Sequence, residues 1–182
     1  MKPALGNQFA TSIAAAAVLG ASALAQSPVA STQPLRTQTS FDLTVRLSYA
    51  QAAPLFGPEG ERAWAGKHWN PQFLYPQPAH DEQGAVFTIQ HGPVTATWVN
   101  TLFDLEARHF IYAYFMPGIM VTTIDVRFTP TSLRVTQVHV VYTRTALTLE
   151  GNEHVATLTG NDKCAAHDWQ QAIGSYVASR KR

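Results

Sequence analysis

From residue 86 to residue 143 the chain is a succession of apolar runs separated only by short turns. The runs cover 86–90, 94–102, 109–116, 119–128 and 133–143, and they are rich in β-branched and aromatic residues, as strands prefer. Between them lie His91-Gly92-Pro93, residues 104–108, Pro117-Gly118 and residues 129–132. Gly and Pro at these points are turn chemistry. A parallel pair of strands needs a crossover of a dozen or more residues, so connections this short demand antiparallel neighbours.

The flanks complete the outline. Phe41, Leu43, Val45, Leu47 and Tyr49 alternate with Asp42, Thr44, Arg46 and Ser48. That period of two predicts a half-buried first strand. The alternation stops at residue 50, and Pro54 and Gly57-Pro58 limit any helix in 50–56 to a short turn. A second short helix fits 59–65, with Pro58 at its start and Gly66 at its end. Trp69-Asn70-Pro71 and Tyr75-Pro76 read as extended or turning, since a residue before proline is pushed out of the helical region. Residues 148–179 contain no proline and predict a long helix, weakest at Gly160-Asn161. Ala165, Trp169, Ile173, Tyr176 and Val177 fall three or four apart and form one apolar stripe. A sheet of this size needs its apolar face covered, and one such helix does so. The fold class is therefore α+β.

The N-terminus has another character. Lys2 is followed by an alanine-rich, nearly uncharged stretch over 9–24, and Ala23-Leu24-Ala25 matches the small-x-small pattern of a cleavage site. Residues 1–25 read as a signal peptide of bacterial style, which places the mature protein in the periplasm or outside the cell. The stretch is short of the ~20 strongly apolar residues of a membrane span, so no stable span is expected after cleavage. Residues 26–38, mixed Ser, Thr, Pro, Gln and Ala, read as a flexible linker. That leaves 39–180 as one domain. With 46% hydrophobic and 14% charged residues it has enough apolar material for a core. A net charge of +1 excludes a strong field for nucleic acid or an anionic membrane. The single cysteine, Cys164, forms no internal disulfide and reads as an idle thiol.

The layout of strand, two short helices, antiparallel strands and long helix resembles the helix-grip fold of the SRPBCC (START-like) superfamily. The stretch Pro54-Leu55-Phe56-Gly57-Pro58-Glu59-Gly60-Glu61-Arg62, continued by Trp69-Asn70-Pro71-Gln72-Phe73-Leu74-Tyr75-Pro76, is similar to the passage after the first strand in that group. Tyr142-Thr143-Arg144-Thr145-Ala146-Leu147 and Glu150-Gly151-Asn152 resemble its passage from last strand to closing helix. The resemblance implies a curved sheet wrapped around a long C-terminal helix, with a cavity for a hydrophobic small molecule between them. It implies no particular reaction, because fold does not carry function by itself.

Rings suited to line such a cavity are Trp64, His68, Trp69, Tyr75, His91, Trp98, Tyr112, Tyr114, His139, Tyr142 and Trp169. Strand register decides which of them turn inward. Met120, Ile124, Val126 and Phe128 make one apolar face. A plain loop at 129–132 sets Phe128 against Leu133 and turns Gln137 and His139 inward. A bulge there turns Val138, Val140 and Tyr142 inward instead and leaves His139 to solvent. Asp125 and Arg127, with Thr123, read as a solvated face, and Glu150 with His154 as a surface pair rather than a metal site. No cofactor or metal is expected. The expected function is an exported domain that binds a small hydrophobic ligand. The alternatives are a cyclase- or hydratase-type enzyme with a cavity His or Tyr as acid–base group, and an interaction module without a ligand. The sequence leaves the oligomeric state open.

Overall fold

The computed structural model describes residues 33–180. The expected signal peptide and residues 26–32 of the expected linker lie outside the described residues. The elements are β1 (Arg36–Val45), α1 (Tyr49–Ala52), a 3₁₀ turn (Ala53–Phe56), α2 (Pro58–Glu61), β2 (Gln72–Tyr75), β3 (Val86–His91), β4 (Val94–Asp104), β5 (His109–Met116), β6 (Met120–Ser132), β7 (Val135–Ala146) and α3 (Gly151–Ser179). The seven strands form one antiparallel sheet in the order β1-β7-β6-β5-β4-β3-β2. The predicted α+β helix-grip architecture is present.

The start of the sheet differs from expectation. The first strand starts at Arg36, so residues 36–38 belong to the sheet rather than to a linker. The reason lies in the partner. Arg36 to Ser40 pair with Thr145 to Val141 of β7, Ala146 N–H donates to the Leu35 carbonyl at 2.8 Å, and Leu35 N–H donates to Asn152 Oδ1 at 2.6 Å. Polar composition suggested a linker, but here each polar residue pairs through its backbone. Within the stretch expected to be extended or turning lies β2, a four-residue strand between prolines, paired with β3.

The last hairpin carries a register shift between Pro130 and Ser132. Phe128 therefore faces Val138, Val126 faces Val140 and Ile124 faces Tyr142. Leu133 sits in the turn, 92% exposed. This is the bulged alternative, and it lets β6 and β7 put their valines, isoleucine and phenylalanine into the core together. His139 faces outward and pairs with Asp42 at 2.9 Å.

The inner face of the sheet is laid out in rows across the strands. One runs Phe41, Val140, Val126, Phe110 and another Tyr142, Ile124, Tyr112. A third runs Phe87, Trp98, Tyr114, Thr122, Arg144 and turns from aromatic to polar along its length. α3 matches that change. Its Asp162 takes a bidentate pair from Arg144 (2.5 and 2.9 Å) and a hydrogen bond from the Thr39 hydroxyl, and Thr159 meets Thr37 at 2.8 Å. These tethers bracket Gly160-Asn161, and the helix passes through its expected weak point without a break. Further along, Ile173 is buried, and Ala165, Trp169, Tyr176 and Val177 pack on the core as the stripe predicted. At its start Gly151 N–H donates to Thr148 Oγ1 at 3.1 Å, and Thr148, expected near the first helical residue, lies before the helix.

The Arg144 and Asp162 side chains are only 5% and 10% exposed. Removing one partner of such a pair strands the other charge in the interior. Asp162→Ala should therefore lower the unfolding free energy by about 3–5 kcal/mol in urea denaturation, and Arg144→Met in the same chain should restore a large part of it.

Candidate functional site

Between α3, the sheet and the α1–α2 segment lies a cavity of about 330 Å³. Its floor is Phe87, Trp98, Tyr112, Ile124 and Tyr142, one strand after another from β3 to β7. Its walls are Pro58, Glu61, Trp64, Ala65 and Trp69 on one side and Asp168, Trp169 and Ala172 of α3 on the other.

The wall at Pro58 and Glu61 is held by an unusual set of bonds. Trp64 Nε1 donates to the Leu55 carbonyl at 2.6 Å, the Tyr112 hydroxyl donates to the Phe56 carbonyl, and Trp69 Nε1 donates to the Pro58 carbonyl at 2.8 Å. Asp81 supports the same segment from outside, accepting the Glu59 N–H at 2.8 Å. Two glycines allow the close fit. A Cβ at Gly60 would lie 1.7 Å from the Pro54 carbonyl oxygen, and one at Gly57 would lie 2.1 Å from Asp81 Oδ2. Arg62 then fastens α2 to the next loop through Asn70 Oδ1 and the Pro71 carbonyl.

This scaffold points Glu61 into the cavity. The residue is half-buried and borders the cavity. Burial first, and then the Asp81 carboxylate, push the Glu61 carboxyl well above its ordinary value. Both causes act in one direction. The phenols beside it respond likewise. Burial and the Glu61 charge push Tyr142 and Tyr112 far up, so both remain neutral. Trp98 is 6% exposed, and its indole N–H has no partner among the described residues.

Of the rings expected here, Trp64, Trp69, Trp98, Tyr112, Tyr142 and Trp169 line the cavity. Five others do not. Tyr114 is buried beneath Trp98, stacked at 4.1 Å, where the floor turns toward Arg144. Tyr75 is 56% exposed on β2. His68 is exposed after the turn at Gly66, and His91 is exposed at the end of β3. His139 lies on the outer face, where the bulge leaves it. No histidine therefore reaches the cavity among the described residues. Glu61 does, and the sequence offered one sign of it. Pro58, Glu61 and Ala65 are spaced as one face of a helical turn, the face that Trp64 and Trp69 frame.

With that geometry in view, the relationships to known proteins are clear at the level of fold. The structure is similar to norcoclaurine synthase from Thalictrum flavum in complex with dopamine and hydroxybenzaldehyde, at TM-score 0.59 and 14% identity over 82% of this chain and 91% of that one. It is similar to the protein XoxI from Bacillus cereus, at TM-score 0.57 and 13% identity over 80% and 99%. It is also similar to CalU16 from Micromonospora echinospora, at TM-score 0.52 and 9% identity over 78% and 85%. No protein-family model and no curated protein sequence matches the chain. The chain has the helix-grip fold that these structures share, a curved antiparallel sheet closed by a long C-terminal helix. No helix among the described residues is long and apolar enough to cross a membrane.

Glu61 keeps its proton to higher pH in the folded chain than at its ordinary value of 4.5 in the unfolded one. Its contribution to stability is therefore complete below that value and is lost as pH rises through the folded-state value. In urea unfolding from pH 4 to 8, Glu61→Gln should match the parent at the acid end and exceed it increasingly toward pH 8.

Proposed function

We propose that the domain binds a small hydrophobic molecule in this cavity, and that it does so after export. The observation that carries the reading is convergence. The chain has four tryptophans, and all four line one cavity of about 330 Å³. Pockets for small ligands are concave, mostly apolar and of this size upward, with a few polar groups to orient the guest. An interaction module without a ligand gives no reason for such a hollow. The fold neighbours lend support, since one of them was solved with two small aromatic molecules. Export rests on the alanine-rich leader, with cleavage after Ala25 and the mature protein in the periplasm or medium.

Native mass spectrometry of the purified mature protein, before and after organic extraction, tests the reading. A co-purifying molecule is expected. Titration of the extracted protein with naphthalene should shift and quench tryptophan emission saturably, since each emitter borders the site. Absence of both signals removes the proposal. The mature N-terminus should be Gln26, and sequencing of the exported protein decides that point.

A cyclase-type reaction is the second reading, and Glu61 favours it. A carboxyl held well above its ordinary range donates to a carbonyl oxygen when protonated and takes a proton from the adjacent carbon when ionised. Tyr142, also neutral, stands on the facing floor. Tyr112 also borders the cavity, but its hydroxyl proton is engaged by the Phe56 carbonyl. Deuterium exchange into the enolisable ketone 2-tetralone, followed by NMR, measures this chemistry. The protein should accelerate exchange, and Glu61→Gln should reduce that acceleration by about 100-fold or more. Equal exchange in parent and variant excludes Glu61 as the acid–base group.

A further inference from the structure

We infer that the cavity is built for an organic cation, a hydrophobic ammonium whose charge sits among the indole faces and against Glu61. The inference rests on the ligand-binding reading above and names the chemical class of the ligand.

The geometry of the rings is the first support. Trp64 meets Trp169 at 5.3 Å with planes 62° apart, and Trp69 meets Trp98 at 5.4 Å with planes 83° apart. In each pair the edge of one indole packs on the face of the other, so the tryptophans border the cavity at steep angles and not as one flat wall. Parallel planes would make a slot for a flat neutral molecule. The direction of the polar edges is the second support. The N–H groups of Trp64 and Trp69 are engaged by the carbonyls of Leu55 and Pro58. What these two rings have left for the cavity is carbon and π-face, and the face of an aromatic ring carries the negative end of its quadrupole. A cation within about 6 Å of such a centroid is attracted, most strongly by tryptophan.

The charges agree with the rings. Two carboxyl groups line the cavity, Glu61 on α2 and Asp168 on α3, and no Lys, Arg or His does. Asp168 belongs to an exposed residue, so it stands where the cavity meets solvent, and Glu61 lies within. The groups that face Glu61 from the packed elements are Asp81 outside α2, Tyr112 on β5 and Tyr142 on β7. None of them is a cation. The guanidinium of Arg144 lies 4.4 Å from the Tyr142 ring centroid, but its charge is taken up by the bidentate pair with Asp162. The cavity lining thus offers Glu61 no cation, and burial and the Asp81 charge hold its carboxyl toward the neutral form. An entering ammonium supplies the missing charge and releases the proton to solvent.

The test uses two probes of one shape, trimethylphenylammonium and its neutral isostere tert-butylbenzene, titrated against the extracted mature protein with tryptophan emission as readout. The cation should bind at least tenfold more tightly at pH 8, with the preference shrinking toward pH 5. Calorimetry in two buffers of different ionisation enthalpy should show proton release for the cation alone. Glu61→Gln should bring the ratio of the two affinities toward one. Asp168→Asn, at the exposed rim where folding is not at risk, should lower the ratio severalfold. Equal or tighter binding of the neutral probe overturns the cation assignment and leaves ligand binding standing. A ratio that neither substitution lowers overturns it as well. No saturable change with either probe overturns both.

Discussion

Three backbone carbonyls, those of Leu55, Phe56 and Pro58, hold the rest of the site in place. The segment that carries them includes Pro54 and Pro58, which have no N–H to give, and the Glu59 and Gly60 N–H groups go to Asp81 instead. Laid over the apolar sheet, each carbonyl left unpaired would cost about 1–3 kcal/mol. The donors come from Trp64, Tyr112 and Trp69, residues far larger than the bond requires. Their bulk keeps α3 from settling onto the sheet, and the hollow that remains is the cavity. The same bonds that satisfy the segment thus prevent the core from closing.

That arrangement also separates two kinds of polarity on one sheet face. Arg144 and Asp162 are buried as a matched pair, bonded to each other and to Thr39, and they fix the helix in position. Glu61 is half-buried beside the void with other carboxyl groups near it and no cation among the lining residues. The first is architecture, complete without any other molecule. The second is incomplete, and an incomplete buried group is where chemistry or recognition enters.

Much of the fold could be read from the residues because its strands obey a period of two and its turns carry Gly and Pro. The alternation of Phe41, Leu43 and Val45 in β1 was legible in this way, and so was the stripe of α3 through Trp169. The register of the last hairpin was not, because the bulge at Pro130 and Ser132 is set by how Val138 and Val140 pack, and local sequence leaves both registers open. The start of β1 was hidden by polar residues whose pairing depends on a strand a hundred residues away. At the site, tryptophans were legible as cavity rings because bulk and apolarity predict burial. Histidines were chosen for their chemistry, and chemistry says nothing about which side of a strand a residue occupies. Glu61 was passed over for the opposite reason. A glutamate in a short helix beside an arginine reads as solvated, and only the approach of Gly60 to Pro54 turns it inward.

The sheet is open, and an open sheet has two edges on which further strands could grow. One edge, β2, is four residues long and bracketed by Pro71 and Pro76. The other, β1, is lined by α3, whose Gln170 side chain accepts the outward Thr44 N–H at 3.1 Å. With a formal net charge of only +1, mutual repulsion does little to keep copies apart. Resistance to end-to-end sheet growth must then come from geometry at these two edges. The helix that roofs the cavity therefore has a second duty as the guard rail of the sheet, and loosening its grip on β1 would expose a template for aggregation.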